Sequence, residues 1–193
     1  MMYRMDNVKN LKLIAVVGMS GAGKTVAVNY LTAQGAPKIY FGGFIYKEMT
    51  KRGIEITPAS QREFREMIRQ TEGNDWVVRQ VIAEIRDLIA AGQKRIILDG
   101  VYSWTEYRTI KHEFPGALTV LAVIADRAVR YARLAARPER PFTGHEAEER
   151  DYSEIEHMEK GGPIAIADHY VLNDGTPEQM QQKLKEIVQK IGF

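Results

Sequence analysis

Apolar residues recur along this chain in two alternating periods, one suited to buried strands and one to amphipathic helices. "LKLIAVV", residues 11–17, is short, rich in β-branched residues and closed by Gly18, which predicts a strand buried on both faces of a parallel sheet. "KTVAVNYLTAQG" then places Val28 and Leu31 on one helical face and offers Gly35 as a stop. A second strand is predicted at "KIYF", then a Gly42-Gly43 break and a helix from Phe44 to Arg52. Pro58 opens "ASQREFREMIRQ", where Arg62, Arg65 and Arg69 share one basic helical face. The strongest stripe runs through Val77, Val78, Val81, Ile82, Ile85, Leu88 and Ile89, between a cap at Asn74 or Asp75 and a stop at Gly92.

The alternation continues to the end of the chain. "KRIILDG" predicts a third strand and "ALTVLAVIA" a fourth, with a helix from Thr105 to Glu113 between them. "DRAVRYARLAARPER" predicts a helix reaching Pro138, and the polar segment "PFTGHEAEER" leads into another from Glu146 to Glu159. "HYVLN" is the last strand, followed by a turn at Asp174-Gly175 and a helix from Pro177. Strands alternating with helices imply right-handed crossovers and a central parallel sheet covered on both faces, an α/β fold. No repeat, low-complexity tract or linker interrupts residues 1–193, so one domain is expected.

Composition narrows the chemistry. The chain has no cysteine, and its four histidines lack metal-ligand spacing, so a bound metal would be a hard ion held by oxygen. A formal net charge of +2 is too small for bulk nucleic-acid binding. The opening "MMYRMDNVKN" has neither a long apolar core nor a small-residue cleavage site and predicts a frayed extension or a short capping strand. With no apolar run long enough to span a bilayer, the expectation is a soluble, cytoplasmic protein.

"GMSGAGKT" carries the clearest chemistry. Gly18, Gly23, Lys24 and Thr25 stand at the spacing of a phosphate-binding P-loop, with a buried strand before them and an amphipathic helix after. In such a loop the backbone amides turn inward as an anion nest and the helix presents its positive end to the same phosphates. The predicted ATP-binding set is Gly18, Met19, Ser20, Gly21, Ala22, Gly23, Lys24, Thr25 and Val26. Lys24 would reach between the β- and γ-phosphates, and the Thr25 hydroxyl would ligate Mg²⁺. Asp99, ending an apolar strand, suits a carboxylate that holds a metal-bound water or orients an acceptor hydroxyl, although Asp-Gly also reads as a plain turn. Arg127, Arg130, Arg133, Arg137 and Arg140, with Arg150 beyond the polar segment, suit a mobile lid that neutralises phosphoryl charge; a solvated helix face accounts for part of the series.

From Leu11 onward the sequence resembles the nucleoside-monophosphate kinases and dephospho-CoA kinases, and most closely a set of adenylate-kinase-related proteins described mainly from archaea. The marks are "GMSGAGKT", "ILDGVYS", "RYARLAARPER", "EERDYSE" and "IADHYVLNDG", in that order. The resemblance implies a P-loop NTPase three-layer α/β/α sandwich with a nucleoside-monophosphate-kinase-like core. It also implies a helical lid near residues 137–160 and an acceptor-binding region near 42–75. By the same resemblance, Arg133, Arg137 and Arg150 contact phosphate from the lid, Asn173 to Gly175 lie near the adenine, and Arg69 in "RQTEGND", beside Arg65, clamps the acceptor. Tyr102 stands where the related sequences carry an arginine after the aspartate-glycine element, and "YFGGFIYKE" lacks the aspartate that dephospho-CoA kinases place after their second strand. Tyrosine cannot pair with phosphate as guanidinium does, so Tyr102 at the acceptor site points to a different acceptor.

The functional expectation is an ATP- and Mg²⁺-dependent kinase that passes the γ-phosphoryl group to a nucleotide or nucleotide-like acceptor. Lys24, Asp99, Arg133 and Arg137 would be its catalytic residues, and its partners ATP and a small phosphorylated acceptor. The alternative is a nucleotide-binding switch that hydrolyses ATP slowly without a small-molecule acceptor.

Overall fold

Packing on both faces of one sheet explains why the strands are nearly continuous apolar runs. The computed structural model describes residues 10–193, so all but the last residue of the extension or capping strand expected at residues 1–10 lies outside the described residues. In chain order the elements are β1 (Lys12–Val17), α1 (Lys24–Thr32), β2 (Lys38–Tyr40), α2 (Phe41–Lys51), α3 (Pro58–Glu72), α4 (Trp76–Ala90) and β3 (Arg95–Asp99). There follow α5 (Trp104–Glu113), β4 (Leu118–Ile124), α6 (Arg127–Ala135), α7 (Gly144–Glu156), α8 (Gly161–Ala165), β5 (His169–Leu172) and α9 (Pro177–Ile191). The strands form one parallel sheet in the order β2-β3-β1-β4-β5.

Alternate residues of each strand feed opposite layers. Leu13, Ala15 and Val17 of β1 join a core with Val78, Val81 and Ile85 of α4 and Ile110 of α5. Ile14 and Val16 join the other core, with Val28 and Leu31 of α1 and Leu184 of α9. The result is a three-layer α/β/α sandwich, the fold expected from the sequence. Each fully buried aliphatic side chain in these layers contributes about 1.5–3 kcal/mol relative to exposure. A smaller cluster of Ile45, Met49, Phe64 and Ile68 packs α2 against α3.

Several boundaries differ from expectation. Gly42 and Gly43 do not break the chain; α2 begins at Phe41, directly after β2. The Tyr40 ring lies against Gly42, where any Cβ would sit 2.5 Å from its hydroxyl oxygen, so glycine lets the ring close over the first helical turn. α6 stops at Ala135 instead of reaching Pro138, leaving Arg137 outside the helix. α7 starts at Gly144, where Thr143 and Glu146 form a reciprocal capping box, and ends at Glu156. The short helix α8, hidden in the sequence by two glycines and Pro163, was not expected.

The parallel register decides where the site lies. Val16 of β1 and Tyr40 of β2 both pair with Asp99 of β3, so the carboxyl ends of three strands meet beside the loop that leaves β1. In open parallel sheets this edge, near the change in strand order, is where ligands bind.

Candidate phosphate-binding site

The glycine loop joins the end of β1 to α1. Gly23 is the N-terminal cap of α1 in a left-handed conformation with φ of 98°, and a side chain there would collide with the amide of Asn173. The amides of Gly21, Gly23, Lys24 and Thr25 make no hydrogen bond within the described residues. They are the free donors expected at a helix start, where the positive end of the helix favours an anion. Lys24 Nζ donates to the Met19 carbonyl at 3.0 Å, closing the loop on itself. The amides of Ala22 and Val26 are engaged locally, with the carbonyls of Met19 and Gly23.

Three long-range contacts brace this loop. Buried Asn173, just past β5, donates from its side chain to the Ala22 carbonyl at 2.8 Å. Arg130 of α6 donates to the Ser20 carbonyl at 3.1 Å and grips Asp151 of α7 with two hydrogen bonds of 2.7 and 2.6 Å. Glu154 of α7 receives the Ser20 amide at 3.0 Å and the Ser20 hydroxyl at 2.7 Å. The same carboxylate takes Arg150 Nε at 3.0 Å and Lys160 Nζ at 2.6 Å. Lys160 also lies 4.5 Å from the centroid of the Tyr102 ring, a cation–π arrangement that links the loop clasp to the end of β3.

The electrostatics follow from crowded, partly dehydrated charges. Burial, then the positive charge of Lys160, lowers Lys24 to about 8, while Glu154 and Asp99 oppose the shift and Arg137 adds to it. Lys24 is therefore within electrostatic reach of both Asp99 and Arg137. Burial raises the Asp99 carboxyl, partly offset by Lys38, whose Nζ is 4.0 Å away, and by Lys24. Burial also raises Glu154, but Lys160, Ser20 and Arg150 outweigh it and hold the group at about 2. Burial lowers Lys160 while the charge and hydrogen bond of Glu154 oppose the shift. Tyr40 is pushed up to about 12 by burial and by Tyr46, and burial raises Tyr102 further.

Comparison with known proteins places the chain. The family model described as an AAA domain matches residues 14–159. A UPF0200 protein of Thermococcus gammatolerans is 33% identical over 182 residues, covering 93% of this chain and 95% of that one. The chain belongs to the UPF0200 family and carries an AAA domain. Among solved structures, shikimate kinase from Bacteroides thetaiotaomicron matches with a TM-score of 0.58 at 14% identity, covering 94% of this chain and 99% of that chain. Dephospho-CoA kinase from Campylobacter jejuni matches with a TM-score of 0.56 at 11% identity, covering 94% and 98%. At such low identity these likenesses establish the fold alone, the three-layer α/β/α sandwich that this chain shares with those two proteins. The archaeal part of the expected relationship holds, as kinship to UPF0200 proteins; the matching relatives do not carry it on to adenylate or nucleoside-monophosphate kinases.

In this UPF0200 chain the residues singled out from the sequence divide by position. Gly18, Met19, Ser20, Gly21, Ala22, Gly23, Lys24, Thr25 and Val26 form the loop and first turn, with Thr25 and Val26 exposed. Asp99 and Tyr102 sit at and just beyond the end of β3, both half-buried. Arg150 reaches the loop through Glu154, whereas Asn173 acts on the loop backbone from beneath. Arg133 carries a buried Nη1 with no hydrogen-bond partner, the sole such side-chain atom among the described residues. Arg65 is close enough to influence Tyr40, and exposed Arg69 close enough to influence Glu106. Gly175 lies exposed beside α9.

Sequence reasoning missed Arg130 as a brace and missed Asp151, Glu154, Lys160 and Glu106 altogether. Glu106 receives the amides of Tyr102 and Ser103 at 2.7 and 3.0 Å and so fixes the backbone beyond Asp99. Its signal was local: Ser103 and Glu106 stand at capping-box spacing. Asp151 and Glu154 lie within "EERDYSE", but nothing in that charged helical stretch marks which acids turn inward.

Proposed function

We propose that this UPF0200 protein is an ATP-dependent small-molecule kinase that transfers the γ-phosphoryl group to a nucleotide or nucleotide-like acceptor. The observation that carries the reading is the set of free amides at Gly21, Gly23, Lys24 and Thr25, beside a lysine within electrostatic reach of Asp99. Free amides at a helix start bind an anion, and a carboxylate across from them serves an incoming nucleophile. Two solved neighbours are by name kinases of small molecules, which supports the reaction class.

In this reading the loop amides and Lys24 hold the β- and γ-phosphates. Asp99 orients the attacking oxygen of the acceptor, and its raised pKa makes it a better proton acceptor at neutral pH. Arg137, within reach of Lys24, and Arg133, with its unpartnered buried nitrogen, supply positive charge as the phosphoryl group moves. Residues 137–160 form the lid, and residues 42–75, including Arg65 and Arg69, form the acceptor side with Tyr102. Asn173 and Gly175 border the adenine side of the loop. Positioning and charge neutralisation account for catalysis without a covalent intermediate.

Magnesium fits the donors present. One exposed hydroxyl, Thr25, and one half-buried carboxylate, Asp99, are hard oxygen ligands suited to an ion that keeps most of its shell as water and phosphate oxygen. Thr25 would hold it directly and Asp99 through water; when bound it neutralises phosphate charge.

The test is ADP release from ATP-Mg²⁺ with a panel of nucleoside monophosphates, dephospho-CoA and small alcohols. Acceptor-dependent release that disappears in Lys24→Ala supports the kinase. Slow hydrolysis indifferent to every acceptor would establish the switch instead, and wild-type rates in Lys24→Ala would remove the site.

A further inference from the structure

Four donors converge on a single carboxylate at the phosphate loop. Glu154 is fully buried, and it takes the Ser20 amide, the Ser20 hydroxyl, Arg150 Nε and Lys160 Nζ, all within 3.0 Å. A loop amide, a hydroxyl, an ammonium and a guanidinium make up the kind of donor set that binds a phosphoryl group. The arrangement is non-local: Ser20 and Glu154 are 134 residues apart. Lys160 is itself buried, and its position over the Tyr102 ring puts its charge between the loop and the end of β3. A phosphoryl group passing from the loop to an acceptor at β3 would cross this space. The next loop donors, the amides of Gly21, Gly23, Lys24 and Thr25, have no internal occupant.

The geometry points to Glu154 as an internal anion seated in the subsite of the terminal phosphoryl group, and to Lys160 as the cation that receives that group when the carboxylate withdraws. This rests on the phosphate-loop reading above and deepens it. The carboxylate balances Lys160 while the subsite lacks a ligand, which keeps a buried ammonium paired. A nucleoside triphosphate must displace Glu154 and with it α7; a diphosphate, ending one phosphate earlier, leaves the clasp shut. The site therefore discriminates by phosphate count, and α7 opens only for the longer ligand.

Calorimetric titration of the full chain with ATP-Mg²⁺, a non-hydrolysable triphosphate analogue and ADP-Mg²⁺ tests this. Glu154→Gln should bind both triphosphates on the order of tenfold tighter, while ADP affinity changes less than about twofold, because only the longer ligand competes with the carboxylate. Lys160→Met should lose the triphosphate preference and keep ADP binding. Equal shifts for ADP and ATP in Glu154→Gln, or weaker triphosphate binding there, would overturn the exchange and leave Glu154 a structural brace. Should either variant fail to fold, hydrogen exchange on the wild-type protein decides: residues 144–160 should lose protection with the triphosphate analogue and not with ADP, and unchanged protection with both overturns the proposal. A wild-type protein that binds neither nucleotide would defeat the phosphate-loop reading itself. Normal ADP binding without triphosphate selectivity would defeat the exchange alone.

Discussion

Replacing Asp151 with alanine should be among the most damaging single changes outside the two apolar cores. Arg130 and Asp151 have side chains only 9% and 10% exposed, and their two parallel hydrogen bonds tie α6 to α7 directly beneath the loop residue Ser20. The variant keeps a buried guanidinium whose remaining acceptor is one carbonyl. Breaking a buried ion pair from one side costs about 3–5 kcal/mol, because the surviving charge stays dehydrated without its partner. For a chain of this size each kcal/mol moves Tm by about 2–4 °C, so a fall of roughly 6–20 °C is expected. Urea unfolding at neutral pH is the suitable assay, since urea leaves ionic strength low and the slope m reports whether the denatured state has changed. The double change Arg130→Met with Asp151→Leu removes both charges and keeps apolar bulk, and should recover most of the loss. A cost below about 1 kcal/mol for Asp151→Ala, or a double variant no more stable than the single one, would refute the account of this pair as a buried charge brace.

Three further outcomes follow from the site. Lys24 has a depressed value of about 8 and phosphate favours its charged form, so nucleotide affinity should be full below pH 8 and decline by up to about tenfold per pH unit above it; a flat calorimetric profile from pH 7 to 9.5 would contradict this. Glu154 is held at about 2 against an ordinary 4.5, so the stability it contributes is complete above 4.5 and is lost as pH falls from there through 2. Acid unfolding followed by circular dichroism should be shallower in that range for Glu154→Gln, and superimposable acid limbs would count against the clasp. Asp99→Asn should lower acceptor-dependent turnover about 10²–10⁴-fold while nucleotide affinity stays nearly constant, as measured by coupled ADP release beside calorimetry; undiminished turnover would free Asp99 of its role.

Much of the fold was legible because its determinants are local. The run at residues 11–17 announces a strand covered on both faces, the glycine spacing announces a loop that must reach left-handed backbone, and the α4 stripe announces a helix lying on a core. The boundaries that slipped did so where a local rule met a tertiary contact. Gly42 looks like a breaker in isolation, yet it lies in the first turn of a helix, where the Tyr40 ring occupies the space a side chain would fill.

The amino-acid order by itself determined the alternation of strand and helix, the glycine loop between β1 and α1 and the charged residues available around it. Tertiary structure alone decided the strand order and which of those charges are paired: Arg130 with Asp151, and Glu154 with Lys160, Arg150 and Ser20. A solvated arginine and a buried, ion-paired one have the same helical spacing in sequence. They differ only in whether distant chain excludes water from them, and exclusion of water is what turns a weak surface charge into a strong constraint.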